Sequence, residues 1–301
     1  MAYILCGGTN ATVTIDGVEV EEDMSLVSDG VIDISVSTIP YNFSGGSAVV
    51  YKDEIHNIGC GDYKYRHYKY NGSSWASVST LPYEFLNSCA VVYQDEIHIM
   101  GSYNGSLYQK YHYKYNGSSW TSVSTLPYDF YQGSAVVYKD EIRILGTGAS
   151  SYNQSHYKYN GTSWVQEKGI PYRFSTGSAV VYQDEIHVMG ALGTSYQKYH
   201  YKYDGTSWTS VSTLPYNFYQ GSAVVKDDEI HILGSNASSS YYQYHYKFDG
   251  TSWTSVSTLP YNFYQGSAVI YKNTINILGG NGGSSNHYEI AKPIYVKGGA
   301  A

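Results

Sequence analysis

The histidines of this sequence, ten in number, are its best candidates for binding a metal or transferring protons. Six of them each precede a tyrosine in one recurring motif, namely His67, His112, His156, His200, His245 and His287. The other four share a second recurring position, which holds Arg143 and Asn276 in the remaining copies: His56, His98, His187 and His231. A zinc site needs three or four ligands that converge on one ion, whereas residues fixed to a repeat are spread around the fold. We therefore interpret the histidines as structural or surface residues.

Paired carboxylates recur in the same way, as Asp-Glu dipeptides that begin at Asp53, Asp95, Asp140, Asp184 and Asp228. Two carboxyl groups about 5 to 9.5 Å apart could hydrolyse a glycosidic bond, and clustered oxygen atoms could bind calcium. Identical dipeptides in successive copies instead indicate solvated turns that discourage edge-to-edge association. The sequence also contains no Gly-x-Ser-x-Gly, His-Glu-x-x-His or phosphate-loop motif. We therefore predict that the protein is not an enzyme and uses no metal or cofactor.

The sequence is built from repeats. WTSVSTLPYNFYQGSAV occurs unchanged at residues 208–224 and 253–269, and these are the best preserved of several copies. A Pro-Tyr dipeptide recurs every 42 to 45 residues, beginning at Pro40, Pro82, Pro127, Pro171, Pro215 and Pro260. Trp75, Trp120, Trp164, Trp208 and Trp253 keep the same step. A period of this length is typical of propellers and other repeat folds.

Each copy contains four short predicted strands, named a to d in chain order. After Pro127, GSAVVY and EIRILG are apolar and β-branched, HYKY alternates with a period of two, and the fourth strand carries Trp164. Lys139-Asp140 separates strands a and b, and Asn160-Gly161 suits a turn of positive φ between strands c and d. Four antiparallel strands per copy predict a propeller blade.

The sixth copy has predicted strands a, b and c but no strand with tryptophan. Residues 30–40, GVIDISVSTIP, align with residues 250–260, GTSWTSVSTLP, and place Asp33 at the tryptophan position. We therefore predict an all-β, six-bladed propeller of four-stranded antiparallel blades, closed by an N-terminal strand that completes the last blade. The predicted organisation is a small β segment at 1–29, the propeller at 30–290 and a tail at 291–301. A hairpin around Asp16-Gly17 and a strand in PIYVK would form an attachment module beside the last blade.

The repeat resembles the kelch family over residues 31–290. The resemblance rests on the apolar strand a, on Tyr115 and Trp120 with their counterparts, and on the glycines that end strand b, which are Gly101, Gly146, Gly190 and Gly234. The kelch double glycine is kept as Gly279-Gly280, whereas other copies have Gly146-Thr147 or Gly190-Ala191. The resemblance implies a propeller that binds a partner, and "kelch-like" describes it best.

Composition limits the classes of partner. The formal net charge is −7, so no basic surface is expected for nucleic acid. The N-terminal sequence resembles no signal peptide, and no apolar run is long enough to span a membrane. Cys6, Cys60 and Cys89 show no pairing pattern, which fits a reducing compartment. We expect a protein made in the bacterial cytoplasm that does not insert into membranes.

The copies differ mainly in two kinds of connection. The b-c loops vary in length and sequence over residues 60–66, 102–111, 147–155, 191–199, 235–244 and 280–286. The d-a connections vary at two successive positions, from Ser44-Gly45 to Leu86-Asn87, Tyr131-Gln132, Ser175-Thr176, Tyr219-Gln220 and Tyr264-Gln265. Since strands alternate in direction, both kinds lie on one face of the ring, here called the loop face. The a-b and c-d turns are nearly constant and lie on the opposite turn face.

Loops on a rigid scaffold often carry function, and Tyr, Ser, Asn, Gln and Gly are the residues of antibody loops. Free drift of long loops is the alternative explanation for their variation. The candidate ligand-binding residues are Tyr131, Gln132, Tyr219, Gln220, Tyr264, Gln265, Tyr103, Tyr152, Tyr196 and Tyr241.

Three functions are compatible with this sequence. The near-identical copies and small end module resemble repeat proteins of bacteriophage or phage-tail-like particles, which implies a virion component. Such a component would recognise a cell-surface glycan or protein through the loop face and join other particle proteins through its termini. The alternatives are an intracellular kelch-type adaptor and, third, a propeller enzyme such as a sialic-acid mutarotase or galactose oxidase. Cys60 and Cys89 do not lie in the copper-ligand pattern of such oxidases.

Overall fold

The computed structural model describes residues 13–15, 18–20, 32–60, 65–103, 106–147, 154–190, 197–237, 240–280 and 284–291. All secondary-structure elements in these ranges are β-strands. None of the described residues forms a helix that could cross a membrane. Strands β1 (Val13–Ile15) and β2 (Val18–Val20) pair antiparallel in a sheet of their own, as the sequence predicts. The predicted strand in PIYVK lies outside the described residues.

All other strands form six four-stranded antiparallel sheets, the blades, each in the order a-b-c-d. Strand a is, in blades 1 to 6, β4 (Ser47–Tyr51), β8 (Cys89–Tyr93), β12 (Ser134–Tyr138), β16 (Ser178–Tyr182), β20 (Ser222–Lys226) and β24 (Ser267–Tyr271). Strand b is β5 (Glu54–Ile58), β9 (Glu96–Tyr103), β13 (Glu141–Leu145), β17 (Glu185–Met189), β21 (Glu229–Ala237) and β25 (Thr274–Leu278).

Strand c is β6 (His67–Tyr70), β10 (Tyr108–Tyr115), β14 (His156–Tyr159), β18 (His200–Tyr203), β22 (Ser240–Phe248) and β26 (His287–Ala291). Strand d is β7 (Trp75–Ser77), β11 (Trp120–Ser122), β15 (Trp164–Gln166), β19 (Trp208–Ser210), β23 (Trp253–Thr258) and, in blade 6, β3 (Ile32–Ser35). Strand a of each blade contacts strand a of the next, including β24 against β4. The ring is therefore closed with strand a nearest its axis, which confirms the predicted six-bladed propeller.

Two tight turns shape each blade. The a-b turn places two residues in the left-handed region, for example Lys139 at φ 49° and Asp140 at φ 55°, which matches the twist of a two-residue hairpin. In the c-d turn of the same blade Gly161 has φ 93°. The side chain of Asn160 accepts hydrogen bonds there from the backbone N–H groups of Thr162 and Ser163. These turns fix the register in which the strands of a blade pair, and the same register recurs in each blade.

The N-terminal strand completes blade 6 as predicted. Strand β3 pairs antiparallel with β26, and Asp33 lies opposite Ile290. In blade 5 the same pair of positions holds Trp253 and Phe248. Asp33 therefore occupies the tryptophan position, so residues from the two ends of the propeller share one sheet. The proposed division into 1–29, 30–290 and 291–301 stays a prediction.

The hydrophobic core is divided among the spaces between blades. At the closure, Val269 and Tyr271 of blade 6 pack with Ile39, Phe43 and Ile55 on the blade 1 side. The phenylalanine that ends each Pro-Tyr-x-Phe motif is fully buried at Phe43, Phe85, Phe130, Phe174, Phe218 and Phe263. Full burial of such a side chain stabilises by about 1.5–3 kcal/mol. Since the closure has the same core as the other spaces, the ring gains stability at each of its junctions.

We expect Asp33→Trp to stabilise the closure by about 1 kcal/mol, the scale of one aromatic pair. A strand-d tryptophan packs on the strand-c histidine of the preceding blade, as Trp253 does on His200 at a ring-centroid distance of 5.5 Å. By the same register, Trp at position 33 would pack on His245. Urea unfolding of Asp33→Trp and of Asp33→Ala measures the difference in their free energies of unfolding. Equal midpoints would show that an aromatic ring at this position contributes nothing.

Candidate functional site

The d-a connections place one residue of each blade in the left-handed region beside the axis. These six residues, here called the axial ring, are Gly45, Asn87, Gln132, Thr176, Gln220 and Gln265, with φ between 52° and 67°. Glycine adopts this conformation without strain, and the other residue types do so at a cost. The axial ring therefore needs contacts that hold it in place.

Backbone hydrogen bonds link the axial ring into a closed circle. Each member donates its N–H to the carbonyl of the member in the preceding blade, at 2.6 to 3.0 Å. The circle includes the closure, where Gly45 donates to Gln265 at 2.9 Å. The six backbone amide groups thus satisfy one another, and the residues of the axial ring line the mouth of the central channel.

The axial mouth is a cavity of about 130 Å³ lined by the axial ring and the residue that follows each member. The following residue is serine at Ser88 and glycine in the other blades, namely Gly46, Gly133, Gly177, Gly221 and Gly266. A Cβ at Gly133 would lie 2.3 Å from the Phe130 ring, so the buried phenylalanine favours glycine there, although blade 2 accommodates Ser88 at the equivalent position. The shape of the mouth is therefore set by the packing beneath it.

Tyrosines precede three of the six residues of the axial ring. Tyr131, Tyr219 and Tyr264 each precede a glutamine of the axial ring and are half-buried. The ring of Tyr131 lies 5.2 Å from those of Tyr103 and Tyr108, both from the b-c hairpin of blade 2. Burial raises the pKa of Tyr131, as do Tyr108, Tyr103 and Tyr219, whereas its hydrogen bond with the Asn87 side chain lowers it. Side chains from several blades therefore meet at this end of the channel.

The structure brings most of the predicted binding residues together. Tyr131, Gln132, Tyr219, Gln220, Tyr264 and Gln265 lie at the axial mouth or directly beside it, and Tyr103 contacts Tyr131. The backbone of Tyr241 pairs with Asn236 in the long hairpin of blade 5. Tyr152 and Tyr196 lie outside the described residues. The assignment of these residues to a ligand site stays a prediction.

Sequence reasoning missed Tyr108, whose ring contacts both Tyr103 and Tyr131 and is 43% exposed. A signal for it exists in the repeat. A tyrosine stands four residues before the strand-c histidine in five copies, at Tyr63, Tyr108, Tyr152, Tyr196 and Tyr241. Asn87 and Thr176 were also left out of the predicted site because the connections that carry them lack a tyrosine.

Two blades extend strands b and c toward the loop face. The hairpin of β9 and β10 in blade 2 continues to the pair Tyr103 and Tyr108, past an irregularity between Gln109 and His112. The hairpin of β21 and β22 in blade 5 continues to the pair Ala237 and Ser240. Blades 2 and 5 lie opposite each other in the ring, so these hairpins stand on two sides of the axial mouth.

All ten histidines are buried, and eight of them are paired within blades. His56 Nδ1 lies 2.7 Å from His67 Nε2, and blades 2, 4 and 5 contain the same pair. In blade 6 His287 bonds to Asn276, and in blade 3 Arg143 forms an ion pair with Glu141. Among the described residues, no group of three or more His, Cys, Asp or Glu side chains could hold a metal ion.

The acidic pairs divide into two roles. The aspartates of the a-b turns are exposed, and Asp95 is in contact with Lys52 of the preceding blade at 3.4 Å. The glutamates begin strand b and pair with a lysine of strand c, as Glu54 does with Lys69 at 2.9 Å. The turn face is therefore uniform and held by repeated ion pairs of modest strength.

The sequence matches no model of a known protein family and no curated protein. Among solved structures, the one titled "Structure of YjhT" is similar to this chain with a TM-score of 0.74 at 14% identity. The match covers 84% of this chain and 95% of that chain, and YjhT is a propeller. At this level of identity the likeness establishes the fold alone.

Proposed function

We propose that this chain is a non-enzymatic binding protein that recognises a cell-surface glycan or protein through the loop face. The observation that carries the proposal is that Gln132, Gln220 and Gln265 line the axial mouth, and that a half-buried tyrosine precedes each of them. Stiff aromatic rings offer contact area at low entropic cost, and amides adapt their hydrogen bonds to a partner.

The contrast between the two faces supports a binding role. The turn face repeats the same ion pairs and turns from blade to blade. The loop face carries four different residue pairs at its six d-a connections, while the backbone geometry there stays constant. A constant backbone with changing side chains is the arrangement that a binding surface needs.

The contacts of the histidines support a non-enzymatic role. All ten are buried, and eight of them form His–His pairs within blades. A catalytic base needs to reach its substrate at hydrogen-bond distance, which a histidine enclosed between blades does not do.

The proposal includes a setting, a bacteriophage or phage-tail-like particle. The near-identical repeats at 208–224 and 253–269 support it by analogy with repeat proteins of such particles. In this setting the termini join other particle proteins and the loop face meets the cell. Neighbouring genes for sheath, tube or capsid proteins would support the particle setting, and a locus without them would contradict it.

Binding to a glycan array, beside capture from cell lysate, tests the binding role and separates its two kinds of partner. Array binding indicates a cell-surface glycan. Capture of a protein from bacterial envelopes, without array binding, indicates a protein receptor, whereas capture from a soluble lysate alone indicates an intracellular adaptor.

The double variant Tyr219→Ala with Tyr264→Ala is expected to lose ligand binding. Each aromatic anchor contributes about 2 kcal/mol, so affinity should fall several hundredfold if the two effects add. Tyr157→Ala with Tyr201→Ala is a matched control, because these tyrosines are also half-buried but lie within strand c, outside the b-c loops and away from the axis. Unchanged affinity in the first variant would place the site elsewhere.

A further inference from the structure

The c-d turns of blades 1 to 5 share one backbone conformation but have two residue types at their first position. The first residue is asparagine in blades 1, 2 and 3, at Asn71, Asn116 and Asn160, and aspartate in blades 4 and 5, at Asp204 and Asp249. All five are exposed to solvent. The glycine that follows each of them has φ between 93° and 103°. Asparagine and aspartate therefore fit the same turn, and the two types can be compared directly.

The side-chain oxygen of each asparagine accepts hydrogen bonds from its own turn. Asn71 Oδ1 accepts them from the backbone N–H groups of Ser73 at 2.9 Å and Ser74 at 3.0 Å. Asn116 Oδ1 accepts the same two bonds and a third from the Ser118 hydroxyl at 2.8 Å. Since these donors lie two and three residues further along the chain, the asparagine side chain is folded back across the glycine between them.

The aspartate turns show how such donors act on a negatively charged oxygen. Asp204 Oδ1 accepts hydrogen bonds from the backbone N–H groups of Thr206 at 2.7 Å and Ser207 at 2.8 Å. The bonds from Ser207 and Thr206 hold the pKa of Asp204 below its usual range. The backbone N–H of Ser252 lowers the pKa of Asp249 in the same way. The donors of this turn therefore stabilise negative charge on the side-chain oxygen.

An asparagine followed by glycine has a reaction in which such a charge forms. The glycine nitrogen attacks the asparagine Cγ and loses its proton to water, and Oδ1 becomes an oxyanion. The Cγ–Nδ2 bond then breaks, and the nitrogen takes up a proton and leaves as ammonia. The cyclic imide that remains adds one water molecule and opens to aspartate or isoaspartate. Glycine has no Cβ to obstruct its nitrogen, and fixed N–H donors aimed at a developing oxyanion lower the barrier to its formation.

We propose that Asn71, Asn116 and Asn160 are sites of spontaneous deamidation, activated by the hydrogen-bond donors of their own turns. The aspartate product keeps the bonds of the turn, because Asp204 and Asp249 accept the same pair of backbone bonds in blades 4 and 5. Three conversions would place aspartate in all five of these turns and change the formal net charge from −7 to −10. The added charge lies on the turn face, so this inference is independent of binding at the loop face.

The test follows deamidation of the full-length protein at neutral pH, by mass spectrometry of proteolytic peptides that each contain one of the three asparagines. The reference is the same protein unfolded in guanidinium chloride, which removes the fixed donors. Each of the three sites is expected to deamidate at least about threefold faster in the native protein than in the unfolded chain.

The variant Ser118→Ala separates the action of the donors from the exposure of the turn. It removes the hydroxyl bond to Asn116 Oδ1 and should lower the rate at Asn116 at least about threefold. Asn71 and Asn160 are internal controls in the same molecule and should keep their wild-type rates. A native rate that does not exceed the unfolded rate at any one of the three sites, or an unchanged rate at Asn116 in Ser118→Ala, would overturn the inference.

Discussion

Acidification from pH 8 to pH 5 is expected to unfold this protein in one steep transition, centred between about pH 5 and 6. The ten histidines are all buried. Burial lowers the pKa of His56 to about 4, and burial together with the neighbouring His56 lowers the pKa of His67 to about 3. The same causes act on the pairs of blades 2, 4 and 5.

The direction follows from where protons bind. In the unfolded chain a histidine has a pKa of about 6.5, so below that pH it binds a proton that the folded protein excludes. The free energy of unfolding is therefore complete above pH 6.5 and falls as the pH drops toward 4. Each histidine contributes more than 1 kcal/mol per pH unit in this window. Ten together lower the free energy of unfolding by about 10 kcal/mol for each pH unit, which is comparable with the whole stability of a typical domain, about 5–15 kcal/mol.

Urea unfolding at pH values from 8 to 5 measures the proton uptake as the slope of the unfolding free energy against pH. The chain offers its own control residue, because Asn276 takes the strand-b position in blade 6 and its side-chain oxygen lies 2.9 Å from His287 Nε2. The variant His56→Asn, His98→Asn and His187→Asn should take up about three fewer protons and unfold at lower pH. A wild-type slope below about two protons would show that the histidines are not held neutral.

The fold could be predicted because the repeat shows each blade several times. Because the repeats share their Trp and Pro-Tyr positions, the sequence shows that the sixth repeat lacks its fourth strand. The N-terminal segment, with Asp33 at the tryptophan position, was predicted to provide that strand and does so. The pairing of histidines was not predicted. It depends on the b-c register, in which Ile58 is opposite His67 and His56 is opposite Lys69. That register places His56 and His67 on one face of the sheet. Because the b-c loops vary in length, the register cannot be read from the sequence.

The candidate site could be located but not described from sequence. Differences among the d-a connections of the repeats identified Tyr131, Tyr219 and Tyr264, with the glutamines that follow them, as candidate binding residues. The closed circle of backbone bonds was not foreseen, because Gln and Thr are not residues that signal a left-handed conformation as Gly and Asn do. The circle follows from tertiary structure, since each N–H finds its acceptor in the preceding blade.

Gly146→Ala is expected to destabilise the protein by about 4 kcal/mol or more, or to prevent folding. Gly146 ends strand b of blade 3 at φ 64°, and a Cβ there would lie 2.0 Å from the backbone oxygen of Phe174. That oxygen accepts a hydrogen bond from the Thr147 N–H at 3.1 Å, and the Phe174 ring is fully buried. A methyl group would therefore separate strand b from the connection that leads into the next blade.

Gly45→Ala is the matched control, since Gly45 has φ 67° and therefore the same backbone strain. A Cβ at Gly45 would lie 2.8 Å from Asn87 Oδ1 and 3.1 Å from Leu86 Cδ1, and both are side-chain atoms that can move. The other five positions of the axial ring hold residues that have a Cβ. Its expected cost is the left-handed conformation alone, about 1 kcal/mol. Urea midpoints compare the two variants. Because φ is shared, equal losses would mean that backbone conformation, rather than contact with the phenylalanine carbonyl, requires glycine at the end of strand b.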